Sequence, residues 1–394
     1  MKSSFLILLG LFTLSAQGQI VTGSGIAQSL DVHPWRMDHA NPARTGKSSY
    51  PGALIGEVEW ARKIGGSVTG IASDRQGKAI LGATFYDQLW SNELYVQAYE
   101  RDGTISWRKK VEPYPWGASQ GVKSAPALSK SGEAVLNSGN GQILRFDRAG
   151  LLLQTMPCNP NATNDRAPAL LDDGSLLHQQ FISMYKFRAD GSLQWSTSAS
   201  TQTDLAVAPN GDIAMGGVRT NEPHGSLDLS YYNKNGTLLW TKSSSRGSRT
   251  QVCFGPDGTL YAGFGGTTAF HPDGTVKWTA TNGGWGVCLD GLGRALVPQS
   301  RTVFAYNKDT GSLLWSTTLP FIGNIVEGLS IDSANRIYMS STDGFVACLD
   351  KNGTLLWNIK VCDTFVTQPS IAASSAIYLS GYSWYRQNFL YRIR

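Results

Sequence analysis

One spacing dominates this sequence: a turn glycine followed four residues later by tryptophan. It runs from Gly103 to Trp107, Gly191 to Trp195, Gly236 to Trp240, Gly274 to Trp278, Gly311 to Trp315 and Gly353 to Trp357. An N-terminal copy runs from Gly56 to Trp60. A degenerate copy, Gly150 to Gln154, keeps the turn and loses the ring. Eight copies at intervals of 37 to 47 residues mark a repeat architecture, in which each copy is one supersecondary unit. Asp-Gly and Asn-Gly favour the positive φ angles of tight hairpin turns. Each copy therefore marks the hairpin between the third and fourth strands of a unit. A second motif is interleaved with the first: SKSGEAVLNSG, APNGDIAMGG, GPDGTLYAG and DSANRIYMSS are examples. It marks the hairpin between strands one and two and also occurs eight times, from near Ser73 to Ala372–Gly381. The expected fold is all-β, an eight-bladed propeller of four-stranded antiparallel blades.

The order of the motifs predicts how the ring closes. The last unit ends after its third strand, near Phe389 to Arg394, with no tryptophan strand behind it. The N-terminus has the reverse, a tryptophan strand at Glu57 to Ile64 with no three before it. The N-terminal strand is expected to complete the C-terminal blade, which removes exposed sheet edges. A small residue precedes each first hairpin: Ala72, Ala127, Ala169, Ala206, Cys253, Cys288, Ser330 and Ser370. Innermost strands crowd at the axis, so this column is a packing requirement. It explains Cys253 and Cys288 as small buried hydrophobes. The repeated tryptophans are expected to pack on the neighbouring blade, with the N–H finding a partner.

Three segments follow: a leader at 1–18, a lead-in at 19–55 and the propeller at 56–394. Lys2, the apolar run Phe5 to Leu14 and Ala16-Gln17-Gly18 have the form of a secretory signal peptide cleaved after Gly18. No cysteine follows that site, so no lipid anchor is expected, and no other stretch is apolar enough to span a bilayer. The protein is expected to be secreted or periplasmic, bacterial, and a monomer. Its net charge of +5 comes from scattered residues, which excludes a nucleic-acid footprint. The five cysteines, Cys158, Cys253, Cys288, Cys348 and Cys362, follow neither disulfide-scaffold nor zinc spacing. His33 and His39 lie in the loop-like lead-in, where a surface role is expected.

Units such as AYNKDTGSLLW and ACLDKNGTLLW resemble the pyrroloquinoline-quinone-type propeller repeat, with its tryptophan-docking turn. The stretch HPWRMDHANPARTG is similar to the lead-in segment of such proteins. The resemblance covers nearly the whole mature chain and implies one of two functions. One branch holds quinoprotein dehydrogenases, which seat the quinone against two adjacent cysteines and bind calcium. The present sequence has no Cys-Cys pair and no Cys-x-x-Cys-His haem site. The other branch resembles the eight-bladed outer-membrane assembly scaffold of Gram-negative bacteria, which is lipid-anchored.

Function is expected where the copies differ. Loops between strands two and three share one face with the loops between blades, and loops on rigid blades carry binding residues. The insertions TFYDQLWSNE, EPYPWGASQGV and GYSWYRQN fall in blade one, after it, and in the last blade. Closure makes them neighbours. They gather Tyr86, Asp87, Trp90, Tyr114, Trp116, Trp384, Tyr385 and Arg386 as candidate binding residues. Rings with a few polar groups suit sugar faces or peptide side chains. No nucleophile elbow, phosphate loop or zinc motif occurs, so no catalytic residue is assigned. The expected function is a non-catalytic exported propeller that binds a protein or polysaccharide and carries no cofactor. The alternatives are a quinone- or metal-dependent oxidoreductase and a carbohydrate-active hydrolase or lyase.

Overall fold

The computed structural model describes residues 32–394 apart from 69, 87–91, 112–123, 139–140, 159–165, 181, 200–204, 219–226, 245–250, 284–285, 366 and 384–386. Its strands form eight antiparallel sheets. Blade 1 runs from axis to rim through Ile71–Ser73, Ala79–Tyr86, Asn92–Tyr99 and Ile105–Val111. Blades 2 to 7 repeat this plan. Their inner strands are Ala127–Leu128, Ala169–Leu170, Ala206–Val207, Val252–Phe254, Cys288–Leu289 and Ser330–Ile331. The eightfold propeller expected from the repeat is the observed fold.

Blade 8 is stitched from both ends of the chain, as the motif order predicts. Ser370–Ala372, Ala376–Ser383 and Gln387–Ile393 supply three strands, and Val58–Ile64 pairs with the third as its outer strand. The break falls inside a hairpin turn, and the two ends rebuild that turn without a covalent link. Arg394 N–H donates to Glu57 O at 2.9 Å, just as Glu100 N–H donates to Thr104 O at 2.8 Å in the intact turn of blade 1. Gly56 takes a φ of 68°, and Gly103, its counterpart, takes 82°. Ion pairs Glu57–Arg394, at 2.7 Å, and Glu59–Arg392 cross the same seam.

The core is not one mass. It divides into eight apolar clusters, one at each junction between blades. At the rim each tryptophan lies on the turn glycine of the next blade. Trp60 covers Gly103, Trp107 covers Gly150, Trp195 covers Gly236, Trp240 covers Gly274, Trp278 covers Gly311, Trp315 covers Gly353 and Trp357 covers Gly56. A Cβ at any of these glycines would come within 3.1 Å of the ring, so the contact demands glycine twice, for φ and for space. Four of the rings also donate Nε1–H to a turn carbonyl, at 2.8–3.0 Å: Trp60 to Arg101, Trp107 to Arg148, Trp240 to Pro272 and Trp278 to Lys308. Trp195, Trp315 and Trp357 bury Nε1 with no partner among the described residues, which departs from the expected N–H bond. In the degenerate copy Gln154 takes the vacated place and donates Nε2–H to Asp190 O at 2.7 Å.

Every outer strand carries a bulge one residue before this position, as at Tyr231/Tyr232 facing Trp240 and Leu238. Bulges twist an edge strand away from flat pairing and blunt its tendency to recruit another chain. At the axis the small-residue column is fully buried, from Ala72 through Cys253 and Cys288 to Ser370.

The lead-in corrects an expectation. His33 and His39 are buried, not on the surface, because the segment winds once around the inner rim. Trp35 and Ser73 of blade 1 exchange two backbone bonds. Arg36 O accepts from Leu128 N–H of blade 2 at 2.7 Å. The Arg36 guanidinium reaches blade 3, donating to Leu170 O at 2.8 Å and pairing with Asp172 at 2.6 Å. Pro42 O then accepts from Val207 of blade 4, Ala43 O from Phe254 of blade 5, Thr45 O from Leu289 of blade 6 and Gly46 O from Ile331 of blade 7, all at 2.8–2.9 Å. Left-handed φ angles at Arg44 (55°) and Gly46 (70°) fan these carbonyls outward to successive blades. In each case the donor is the last residue of an inner strand, next to the first hairpin turn. The lead-in therefore lies across the end of the ring that carries the hairpin turns.

Candidate binding face

The opposite end carries the second-to-third-strand turns and the loops between blades. Residues 319–328, which join blades 6 and 7, show how these connections share a face. Leu319 N–H donates to Arg301 O at 2.9 Å, and Ile325 N–H to Ser300 O at 2.7 Å, both in the turn of blade 6. Thr342 N–H, in the turn of blade 7, donates to Asn324 O at 2.9 Å. The Asp343 carboxylate accepts from Ile322 N–H at 3.0 Å. Burial opposes charge on Asp343, but the Ser341 hydroxyl and the N–H groups of Gly323 and Ile322 outweigh it and hold the carboxyl below its ordinary value. These braces fix a loop whose tip, Ile322, is 89% exposed. The other large apolar side chains exposed on blades 4 to 7, such as Leu239, Leu314 and Leu356, sit on outer strands or turns.

Of the eight predicted binding residues, Asp87, Trp90, Tyr114, Trp116, Trp384, Tyr385 and Arg386 lie outside the described residues. Tyr86 is described only as the end of the strand Ala79–Tyr86, paired with Asn92. That end of the blade 1 sheet points to the loop face, as does Ser383, at the end of Ala376–Ser383 in the adjoining blade 8.

Sequence reasoning missed a polar cluster at the axis, on the inner side of the lead-in. His39 and Ala40 both take left-handed φ angles, 53° and 73°, and drive the segment into the ring. Strained non-glycine backbone persists only where its surroundings hold it. His39 approaches Gly328, where an added Cβ would sit 2.9 Å from its ring, 3.5 Å from Gln251 and 3.5 Å from Gln368. Burial penalises charge on Asp38, but His39 and Arg44 beside it more than offset this, and its carboxyl is held low. Gln368 donates Nε2–H to Leu329 O at 2.6 Å, while its Oε1 is buried with no partner among the described residues. Glu327, next to this cluster, has a left-handed φ of 56°. The signal available in sequence was Asp38-His39 followed by Arg44, three titratable groups in seven residues of an otherwise featureless stretch.

The five thiols are all free. Burial pushes Cys158, Cys288, Cys348 and Cys362 up to about 12 and Cys253 well above its ordinary value. A thiol held protonated is neither a nucleophile nor a ready ligand. Among the described residues, no group of three or more His, Cys, Asp or Glu side chains is placed to hold a metal ion. Among the described residues, no helix long and apolar enough to cross a membrane occurs.

The sequence model of the family described as outer membrane protein assembly factor BamB matches residues 92–255 and 263–381. The chain belongs to this family. No curated protein matches it in sequence. Among solved structures, BamB from Moraxella catarrhalis superposes with a TM-score of 0.56 at 13% identity, over 86% of this chain and 98% of that one. A europium-containing methanol dehydrogenase gives 0.68 at 11% identity, over 92% and 98%. The quinohemoprotein alcohol dehydrogenase of Comamonas testosteroni gives 0.66 at 12%, over 93% and 81%. At these identities the likeness is one of fold, and the BamB-like family and the dehydrogenases share the propeller.

Proposed function

We propose that this BamB-like propeller is an exported, non-catalytic scaffold that binds a protein partner on its loop face. The observation that carries this reading is the asymmetry of the two ends. The turn end is uniform from blade to blade and is crossed by the lead-in. The loop end is where connections differ in length in the sequence, and where the strands Ala79–Tyr86 and Ala376–Ser383 of neighbouring blades 1 and 8 end. A braced loop with a bare apolar tip, as at Ile322, suits recognition, because order already present in the free protein is not lost on binding. The family description, an assembly factor, points to a protein rather than a polysaccharide as ligand.

In this reading the scaffold carries no quinone. No two cysteines are adjacent in sequence, and the five thiols lie on separate strands or connections, held protonated.

The test is site-specific cross-linking in the native cell envelope. A photo-reactive residue at Ile322 should trap one defined protein, and the same residue at the exposed turn position Lys234 should not. Trp90→Ala with Trp116→Ala should then weaken the Ile322 cross-link in a protein that still melts normally. Equal trapping from both ends would sink the proposal. Binding to a polysaccharide panel with no protein trapped would redirect it to a carbohydrate ligand.

A further inference from the structure

We infer that the inner rim of the ring is a peptide-recognition surface whose ligand is the chain's own lead-in, residues 33–53. Six blades present a backbone N–H at the same place, the last residue of the inner strand: Ser73, Leu128, Val207, Phe254, Leu289 and Ile331. Each donates to a different carbonyl of the lead-in. An inner strand is a sheet edge, and its buried N–H groups need a partner from outside the sheet. The lead-in supplies partners in blade order, so its path is read by position around the ring.

Side chains add selectivity to this backbone ladder. Trp35 and Met37 enter the apolar layers of different blade junctions. Arg36 is almost fully buried, and its side chain reaches the carbonyls of Leu128, Leu170 and Leu171 together with Asp172. Gly46 admits no side chain, since a Cβ would meet Leu329 O at 2.7 Å and Cys288 Sγ at 2.8 Å. The pattern Asn41-Pro42-Ala43-Arg44-Thr45-Gly46 is thus a recognition sequence for the rim, with four carbonyls serving four blades.

The lead-in is also separable from the seam strand that follows it. Leu54 and Ile55, between the two, are 53% and 60% exposed. Gly65, beyond the seam strand, is exposed as well. The segment is therefore a docked peptide joined to the ring through an open link, and its hold does not require that link.

Protease sites at Leu54 and at Gly65 in the full-length protein test this after folding. With both cut, the fragment ending at Leu54 should co-elute with the ring on gel filtration, and the melting temperature should stay within a few degrees of the uncut protein. Elution of that fragment away from a folded ring overturns the inference. The doubly cut Arg36→Ala protein should lose the fragment. Retention there as firm as in the unsubstituted protein would show that rim recognition does not hold the segment. If Arg36→Ala does not fold, the doubly cut unsubstituted protein decides alone.

Discussion

The outer and inner rims of this ring are fastened in different ways. At the outer rim one contact is repeated, a ring on a glycine, and each copy joins only two blades. At the inner rim one stretch of chain visits seven blades, and no two of its contacts use the same residue type in the same way. The repeated contact tolerates loss: blade 2 has given up its tryptophan, and Gln154 still holds the turn of blade 3. The lead-in has no such redundancy, because Arg36, Arg44 and Gly46 each have a place that no other residue duplicates. Redundant fastening lets single sites vary, whereas serial fastening makes each site matter.

The harshest way to break this comparison is at the seam, where both rims meet. Deleting Phe389 to Arg394 removes most of the strand that Val58–Ile64 and Ala376–Ser383 share, and leaves an edge of each open. Loss of a cooperative melting transition is expected, and a melting temperature equal to that of the intact chain would show that the ring does not depend on closure. Next come two glycines of similar φ. Gly46→Ala, at a φ of 70° with backbone and sulfur closer than 3 Å to the new Cβ, should cost about 2–4 kcal/mol in urea unfolding. Gly77→Ala, in a hairpin turn with a φ of 87° and its nearest neighbour at 3.5 Å, should cost about 1 kcal/mol, the backbone term alone. Equal costs would show that the crowding of Gly46 by the inner rim adds nothing to the backbone term.

Two buried histidines sharpen the contrast through pH. His178 lies in blade 3 at a position that is apolar in every other blade, as at Leu136, Met215 and Met339. Burial lowers its pKa to about 4. His33 opens the lead-in, accepts the Arg75 N–H at Nδ1 and contacts Ser129 O through Nε2; burial lowers it too. Both are neutral in the fold and protonate more readily when it opens, so the unfolded state binds more protons in this range. The stability they contribute is complete above about pH 6.5 and is lost as pH falls through it. For His178 the loss should reach about 3 kcal/mol by pH 4, and His178→Met should remove that part of the slope. Urea unfolding at pH 7 and pH 4.5 measures it. An unchanged slope in the variant would mean that His178 is already protonated in the folded ring.

Most of the outer rim was legible in the sequence; of the inner rim the small-residue column was legible, and the path of the lead-in was not. Gly103 and Trp107 recur with their spacing in other blades, and repetition separates a structural requirement from chance. The seam was legible because strand order is a property of the whole chain: a missing fourth strand at one end matched a spare one at the other. The lead-in has no such redundancy to read. It makes its ladder with carbonyl oxygens, which every residue has, so Pro42, Ala43 and Thr45 carry no side-chain mark of the bonds they accept. His33 and His39 looked like surface residues because nothing near them alternates, yet their burial follows from tertiary position alone. The loop face was legible only as a difference in length, since aromatics such as Trp90 and Trp116 serve packing and binding equally well.

The smallest effect tests the redundancy of the outer rim directly. In blade 2, Gln154 replaces a tryptophan, and the turn it meets is ordinary: Gly191 has a φ of 82°, like its counterparts. The surface a ring would cover is also in place. Trp107 lies 6.1 Å from Phe146, Trp240 6.1 Å from Phe270 and Trp278 6.2 Å from Tyr306, each an aromatic on the third strand of the next blade. Phe187 holds that position in blade 3 and is buried. Gln154→Trp should therefore dock on Gly191, stack near Phe187 and keep a donor for Asp190 O, raising stability by about 1 kcal/mol. A destabilised variant would show that blade 2 has repacked around the glutamine. The eight rim contacts would then not be interchangeable, and the redundancy of the outer rim would end at blade 2.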